Sequence, residues 1–290
     1  MDITFTKMQG SGNDFIVIDE WKGEAVPDGE REEFVRRACD RHFGVGADGA
    51  IFIRKSSKAD VNFIFHNPDG SRAEMCGNGI RCLAKYAYEH GLARKDRLDV
   101  ETAAGVRRLE LKVEEGRVVE VKVDMGRPQV RRGEAQVAGD PDGVYIGEKT
   151  VINSFEYTIT AVGMGNPHAV LFYDDVNGVD VKTVGSRIRN HRKLFPKGVN
   201  VHFVQKLKGN EFRIRSYERG VEDETLACGT GICAAAAAAA LNGKADAGKP
   251  LLFHSRGGDL KVELERAGKD IKRVRLTGPA EEVFTGRMKV

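Results

Sequence analysis

The sequence resembles itself. Gly10-Ser11-Gly12-Asn13 recurs 153 residues later as Gly163-Met164-Gly165-Asn166, and Cys76-Gly77-Asn78-Gly79-Ile80 recurs 152 later as Cys228-Gly229-Thr230-Gly231-Ile232. Between them, Gly46-Ala47-Asp48 falls opposite Gly198-Val199-Asn200, and Phe65-His66-Asn67 opposite Tyr217-Glu218-Arg219, both at 152. Four matches in one order at a near-constant offset point to two homologous halves, each a whole domain rather than a short solenoid repeat. A chain of 290 residues has room for two such cores. The halves divide as 1–125, carrying Cys76, and 126–276, carrying Cys228. The segment 277–290, where Glu282–Arg287 reads as a strand, is a candidate to complete the first.

Within each half the pattern is mainly β with one prominent helix. Phe15–Ile18, Val61–Phe65 and Val118–Val123 are β-branched or alternating runs that read as strands, and Glu30–Asp40 reads as an amphipathic surface helix. The stretch after each Cys-Gly-x-Gly reads as a further helix, stopping at Gly91 in the first half and near Asn242-Gly243 in the second. Ala234–Ala240 is unbroken alanine followed by Leu241. A helix with no polar face is a buried one. The fold class predicted is therefore α+β: two pseudo-symmetric domains, each a curved, mostly antiparallel sheet or barrel around a central helix.

Composition narrows the function. Lysine and arginine total 46 against 43 acidic residues, interspersed along the chain, so no basic stripe marks a nucleic-acid surface. No apolar run spans a bilayer and the N-terminus lacks a secretory leader, so a soluble cytoplasmic protein without membrane partners is expected. Five scattered cysteines argue against a disulfide framework and fit a reducing compartment. They also lack the spacing of a zinc site, and no histidines stand paired along the chain, so no metal is expected. Gly44-Val45-Gly46-Ala47-Asp48-Gly49 spells a dinucleotide fingerprint, but a helix precedes it and a strand follows, the reverse of the required order. It is read as a helix-to-strand turn.

The Cys-Gly-x-Gly segments carry the chemistry. Each sets a cysteine at a helix N-terminus, where unpaired N–H groups and the helix dipole attract an anion. The same field lowers a thiol's pKa. Two such sulfurs in symmetry-related positions suit inversion at a carbon, in which one group removes a proton while another delivers one to the opposite face. Cys39, Cys82 and Cys233 read as small buried hydrophobes.

The chain resembles the diaminopimelate epimerases over nearly its whole length. The resemblance is carried by Met8–Phe15, Asn67–Ser71, Met75–Cys82, Gly165–His168, Gly198–Asn200 and Glu218–Gly231. It implies conversion between LL- and meso-diaminopimelate, in lysine and peptidoglycan precursor synthesis, without pyridoxal phosphate or metal. It implies Cys76 and Cys228 as the acid–base pair, with His168 and Glu218 as helpers that set thiol protonation and hold the reacting amino group. The amides of Gly77, Asn78, Gly229 and Thr230 are implied to hold the reacting carboxylate. Asn13, Asn67, Asn166, Asn200, Glu218 and Arg219 are implied to contact the rest of the substrate. Some family members carry glutamine where this chain has Gly49, which therefore stays outside the site. A proline or hydroxyproline racemase shares the two-cysteine logic but has histidine at the position of Asn78. A thiol–disulfide switch is the reading from another class. A homodimer is a further expectation.

Overall fold

The computed structural model describes residues 2–268 and 270–289. The chain forms two compact units, Met1–Asp124 with Thr277–Val290, and Met125–Leu276.

In the first unit the strands are β1 (Asp2–Gly10), β2 (Asn13–Asp19), β3 (Ala50–Arg54), β4 (Val61–His66), β5 (Arg72–Ala73), β6 (Arg97–Thr102), β7 (Gly105–Glu114) and β8 (Arg117–Asp124), with helices α1 (Arg31–Cys39) and α2 (Gly77–Glu89). Most neighbours are antiparallel. The two parallel pairs, β2 with β3 and β4 with β6, are those whose connections contain α1 and α2. That follows from the reach of a parallel crossover, which needs a dozen or more residues and usually a helix. The last strand of the chain, Glu281–Lys289, pairs antiparallel with β1 from Asp2↔Lys289 to Gln9↔Glu281.

The second unit repeats this plan with β9 (Glu148–Ile152), β10 (Phe155–Gly163), β11 (Pro167–Phe172), β12 (Asn200–Lys206), β13 (Glu211–Glu218), β14 (Asp223–Thr225), β15 (Leu251–Ser255), β16 (Gly258–Ala267) and β17 (Asp270–Gly278), with α3 (Val181–Arg189) and α4 (Gly229–Leu241). Here β11–β12 and β13–β15 are the parallel pairs, again bridged by helices. The outer strand is β9, paired with β10. Its counterpart in the first unit is the chain's final strand, β18 (Glu281–Lys289), which returns from the far end of the sequence.

The central helices are buried as their composition requires. Ala234–Ala239 are fully enclosed, among Val162, Val170, Val204, Phe212, Ile214 and Phe253. Strand alternation splits the second sheet cleanly. Val170, Val204 and Ile214 face α4, whereas Ala169, Leu171, Val201 and Phe203 face α3 with Val181 and Ile188. The sheets are mixed and open, so the barrel alternative is corrected: each is a curved sheet folded over its helix. Closure would require the outer strands to pair, and among the described residues they do not.

Candidate functional site

In the first unit Cys76 is the residue before α2, in extended conformation (φ −137°, ψ 116°). Its carbonyl accepts the first ladder bond, from Ile80 N–H at 2.9 Å, and its Sγ accepts from Gly79 N–H at 3.4 Å. The amides of Gly77 and Asn78 thus lie ahead of the first ladder bond, where a helix has donors to offer. Asn13 Oδ1 lies 4.0 Å from Sγ and accepts from Asn78 Nδ2 at 3.3 Å. Asn13 is oriented in turn by Asp48, which accepts from its Nδ2 at 2.6 Å and pairs with Arg41 at 2.7 Å. Arg81, fully buried, clamps this corner. It donates to Asn78 Oδ1 at 2.9 Å, Gly77 O at 3.2 Å, Ser11 Oγ at 3.0 Å and Pro279 O at 3.0 Å. The Asn67 side chain is engaged in its own turn, donating to Ser71 Oγ at 3.0 Å.

In the second unit Cys228 precedes α4 in a matching conformation (φ −115°, ψ 104°), with Ile232 N–H bonded to its carbonyl at 2.9 Å. Its Sγ is 3.6 Å from Thr230 Oγ1. Glu218 ends β13 and accepts from Thr225 Oγ1. His168 Nε2 is 2.8 Å from Asn166 Oδ1, and His168 Nδ1 is 2.8 Å from His202 Nε2. Asn200 bridges two chain segments: its Nδ2 donates to Pro167 O at 3.0 Å and its Oδ1 accepts from Arg219 N–H at 2.9 Å. The Arg219 guanidinium is half-buried and donates to Lys197 O at 3.2 Å. Among the described residues no carboxylate pairs with it. Burial, then Arg189 and Arg192, lower its pKa.

The electrostatics differ from the sequence expectation at Cys228. Burial is the largest influence on this thiol and the Glu218 charge the next, and together they push its pKa well above the ordinary value. The Thr230 hydroxyl and Gly231 amide pull the other way and are outweighed. The helix N-terminus therefore does not make Cys228 a resting thiolate, because desolvation of a charged sulfur dominates. His168 is held well below its usual pKa by burial, then by His202 and Arg219. Burial takes His202 down to about 3. Both imidazoles are neutral at physiological pH.

Spacing along the chain was also a poor guide to the histidines. Among the described residues His168, His202 and Cys228, from three separate elements, bring donor atoms within 4.8 Å of one another. The two facing ring nitrogens are at hydrogen-bond distance and satisfy each other. The Gly44–Gly49 segment is the turn its context implied. Gly44, Val45, Gly46 and Ala47 spend their amides on carbonyls of the last turn of α1 and of Asp40, and Asp48 spends its own on Asp14 O, so these five are not offered to a phosphate.

The diaminopimelate epimerase sequence profile matches residues 5–131 and 160–283. The chain belongs to the diaminopimelate epimerase family. It is 48% identical over 282 residues to the diaminopimelate epimerase of Pelotomaculum thermopropionicum, covering 97% of each chain. It is 45% identical over 292 residues to that of Agathobacter rectalis, covering 99% of each. Among solved structures, a probable proline racemase from Agrobacterium radiobacter superposes with a TM-score of 0.75 at 18% identity, over 99% of this chain and 93% of that one. That likeness is one of fold.

Within the family frame, Gly49 has a steric explanation. A Cβ there would lie 2.5 Å from Phe65 Cε2 and 2.7 Å from His66 O, so the position has no room for a glutamine stem. Sequence reasoning missed His202, Ser216, Asp48, Arg41 and Arg81. His202 carries a usable signal. It shares the parity of Val204 in a strand buried on both faces, where a polar side chain needs a partner. Arg81, four residues into a buried helix, is legible for the same reason. No helix of the described residues is long and apolar enough to cross a membrane.

Proposed function

We propose that this chain interconverts LL- and meso-diaminopimelate by exchanging the proton at one α-carbon, with Cys76 and Cys228 as acid and base and no carbonyl cofactor. The observation that carries the reading is the matched pair of cysteines, each at the N-terminus of the buried helix of one of two homologous domains. In the reaction one sulfur, as thiolate, takes the α-proton. The other, as thiol, gives its proton to the opposite face, and the two protonation states are exchanged at the end of the turnover. The amides of Gly77, Asn78, Gly229 and Thr230 are the groups proposed to stabilise charge that builds on the substrate carboxylate. The raised thiol pKa favours Cys228 in its protonated form in the free enzyme. Glu218, beside Cys228, is suited to an ammonium group.

Substrate choice rests on Arg219. A half-buried guanidinium with no carboxylate paired to it among the described residues, near Arg189 and Arg192, suits a second anionic end, which diaminopimelate has and proline lacks. Asn13, Asn67, Asn166 and Asn200 complete the proposed contacts, and His168 acts beside Cys228. The enzyme is read as cytoplasmic, where its thiols stay reduced. A homodimer is a further part of the proposal. The decisive experiment incubates the enzyme with LL-diaminopimelate in D₂O. Early meso product carrying α-deuterium, lost in Cys76→Ala and in Cys228→Ala, is the expected result. Undiminished turnover in either variant, or a preference for proline, rejects the reading.

A further inference from the structure

Even-numbered residues of β11 and β12 and of the facing part of β13 point towards α4, and where that helix begins they are polar: His168, His202 and Ser216. His202 Nδ1 is 2.8 Å from Ser216 Oγ, and its Nε2 is 2.8 Å from His168 Nδ1. We propose that His202 is a positioning residue for His168, fixing which ring nitrogen carries the proton and how the ring sits beside Cys228.

With the Asn166 amide oxygen facing His168, the hydrogen-bond line has one consistent assignment. Asn166 Oδ1 can only accept, so His168 Nε2 bears the hydrogen. A neutral His168 then accepts at Nδ1, and the donor there is His202 Nε2–H. His202 Nδ1 is left to accept from the Ser216 hydroxyl. The tautomer of one histidine is thus set by the bond its other nitrogen makes. Glu218, Arg219 and Cys228 are the other titratable groups about the line.

Two further observations separate this from ordinary core packing. A Cβ on Gly231 would lie 2.1 Å from His202 Cε1, so the motif's second glycine is what admits the ring against the helix. In the first domain the corresponding glycine, Gly79, meets Ile51 Cδ1 and Phe63 Cζ at 3.3 and 3.4 Å, and Phe15 packs edge-on against Phe65 nearby. The sheet face against this glycine is therefore apolar in the first domain and polar in the second. Polar side chains on this sheet face in one copy and apolar ones in the other point to a role in the chemistry of that copy, because buried polar groups must be paired with one another to avoid a cost in stability.

The inference rests on the proposed function in that His168 takes part in the reaction, but the tautomer assignment stands apart from it. Long-range ¹⁵N–¹H NMR of histidine-labelled full chain should show both His168 and His202 with hydrogen on Nε2. In His202→Leu, His168 should lose its single tautomer, and kcat should fall roughly ten- to a hundredfold, the scale of losing an orienting partner, with KM little changed. His202→Gln, which restores a donor to His168 Nδ1, should recover most of kcat. In Ser216→Ala, a gentler change, His202 should lose its single tautomer. An Nδ1–H form of His168 in the wild type overturns the proposal. So does His202→Leu with tautomer and kcat unaltered, or Ser216→Ala with an unaltered His202 if His202→Leu does not fold. Turnover of diaminopimelate by the wild type tests the function separately.

Discussion

Replacing the second glycine of each Cys-Gly-x-Gly by alanine should have very unequal consequences in the two domains. At Gly231 the new methyl would overlap three ring atoms of His202, at 2.1, 2.6 and 2.8 Å. The comfortable separation of carbons is about 3.5–4.0 Å, so the ring must move by more than an ångström. It is buried and bonded on both sides, and any such movement breaks the bond to His168 or to Ser216. Overpacking costs about 1–3 kcal/mol, and a buried donor or acceptor left unmet about 1–3 kcal/mol more. Alanine's helix preference over glycine returns about 0.5–1 kcal/mol. The net loss is about 1–5 kcal/mol, or roughly 2–20 °C in Tm at about 2–4 °C per kcal/mol for a domain of this size. At Gly79 the neighbours are the flexible tip of Ile51 and the edge of Phe63, at 3.3 and 3.4 Å. They need yield only tenths of an ångström, and helix preference offsets much of that. Gly79→Ala should therefore lie within about 1 kcal/mol of wild type. Thermal denaturation of both variants, followed by circular dichroism, is the assay. A Gly231→Ala protein as stable as wild type, or less perturbed than Gly79→Ala, refutes the reasoning.

Acid should weaken the second domain through its histidines. An unfolded histidine titrates near 6.5 and folded His202 near 3. Between these values the unfolded chain binds the extra proton, so stability falls as pH drops below about 6.5, by about 1.4 kcal/mol per unit for such a group. Urea denaturation at pH 7 and pH 5 should differ by about 2 kcal/mol on account of His202, and a folded His202→Leu variant should show a correspondingly smaller difference. Arg219→Ala should lower kcat/KM for diaminopimelate by at least roughly a hundredfold, from about 3 kcal/mol for an anion left unpaired in a half-buried site. Lysine at 219 should recover little, because it lacks the bidentate fork; near-normal efficiency in either variant would remove Arg219 from substrate recognition.

Much of the architecture is legible in the residues because repetition is a one-dimensional property. The offset of 152 to 153 reports two domains. Alternation reports strands such as β2, β4 and β8, and a helix of bare alanine can only be a buried one. The cysteines stood out because the repeat placed both at helix starts. What the linear pattern did not contain is depth and adjacency. The dipole argument for an activated thiol was sound in sign, yet at Cys228 burial and the neighbouring Glu218 outweigh it, and neither is visible until the chain has folded. His168, His202 and Ser216 lie 34 and 14 residues apart in sequence and become neighbours only because β11 pairs in parallel with β12 and β12 antiparallel with β13. The return of the last strand to β1 is of the same kind. Composition and periodicity set which residues must be covered. Strand order decides which of them meet, and it is fixed by packing across the whole sheet.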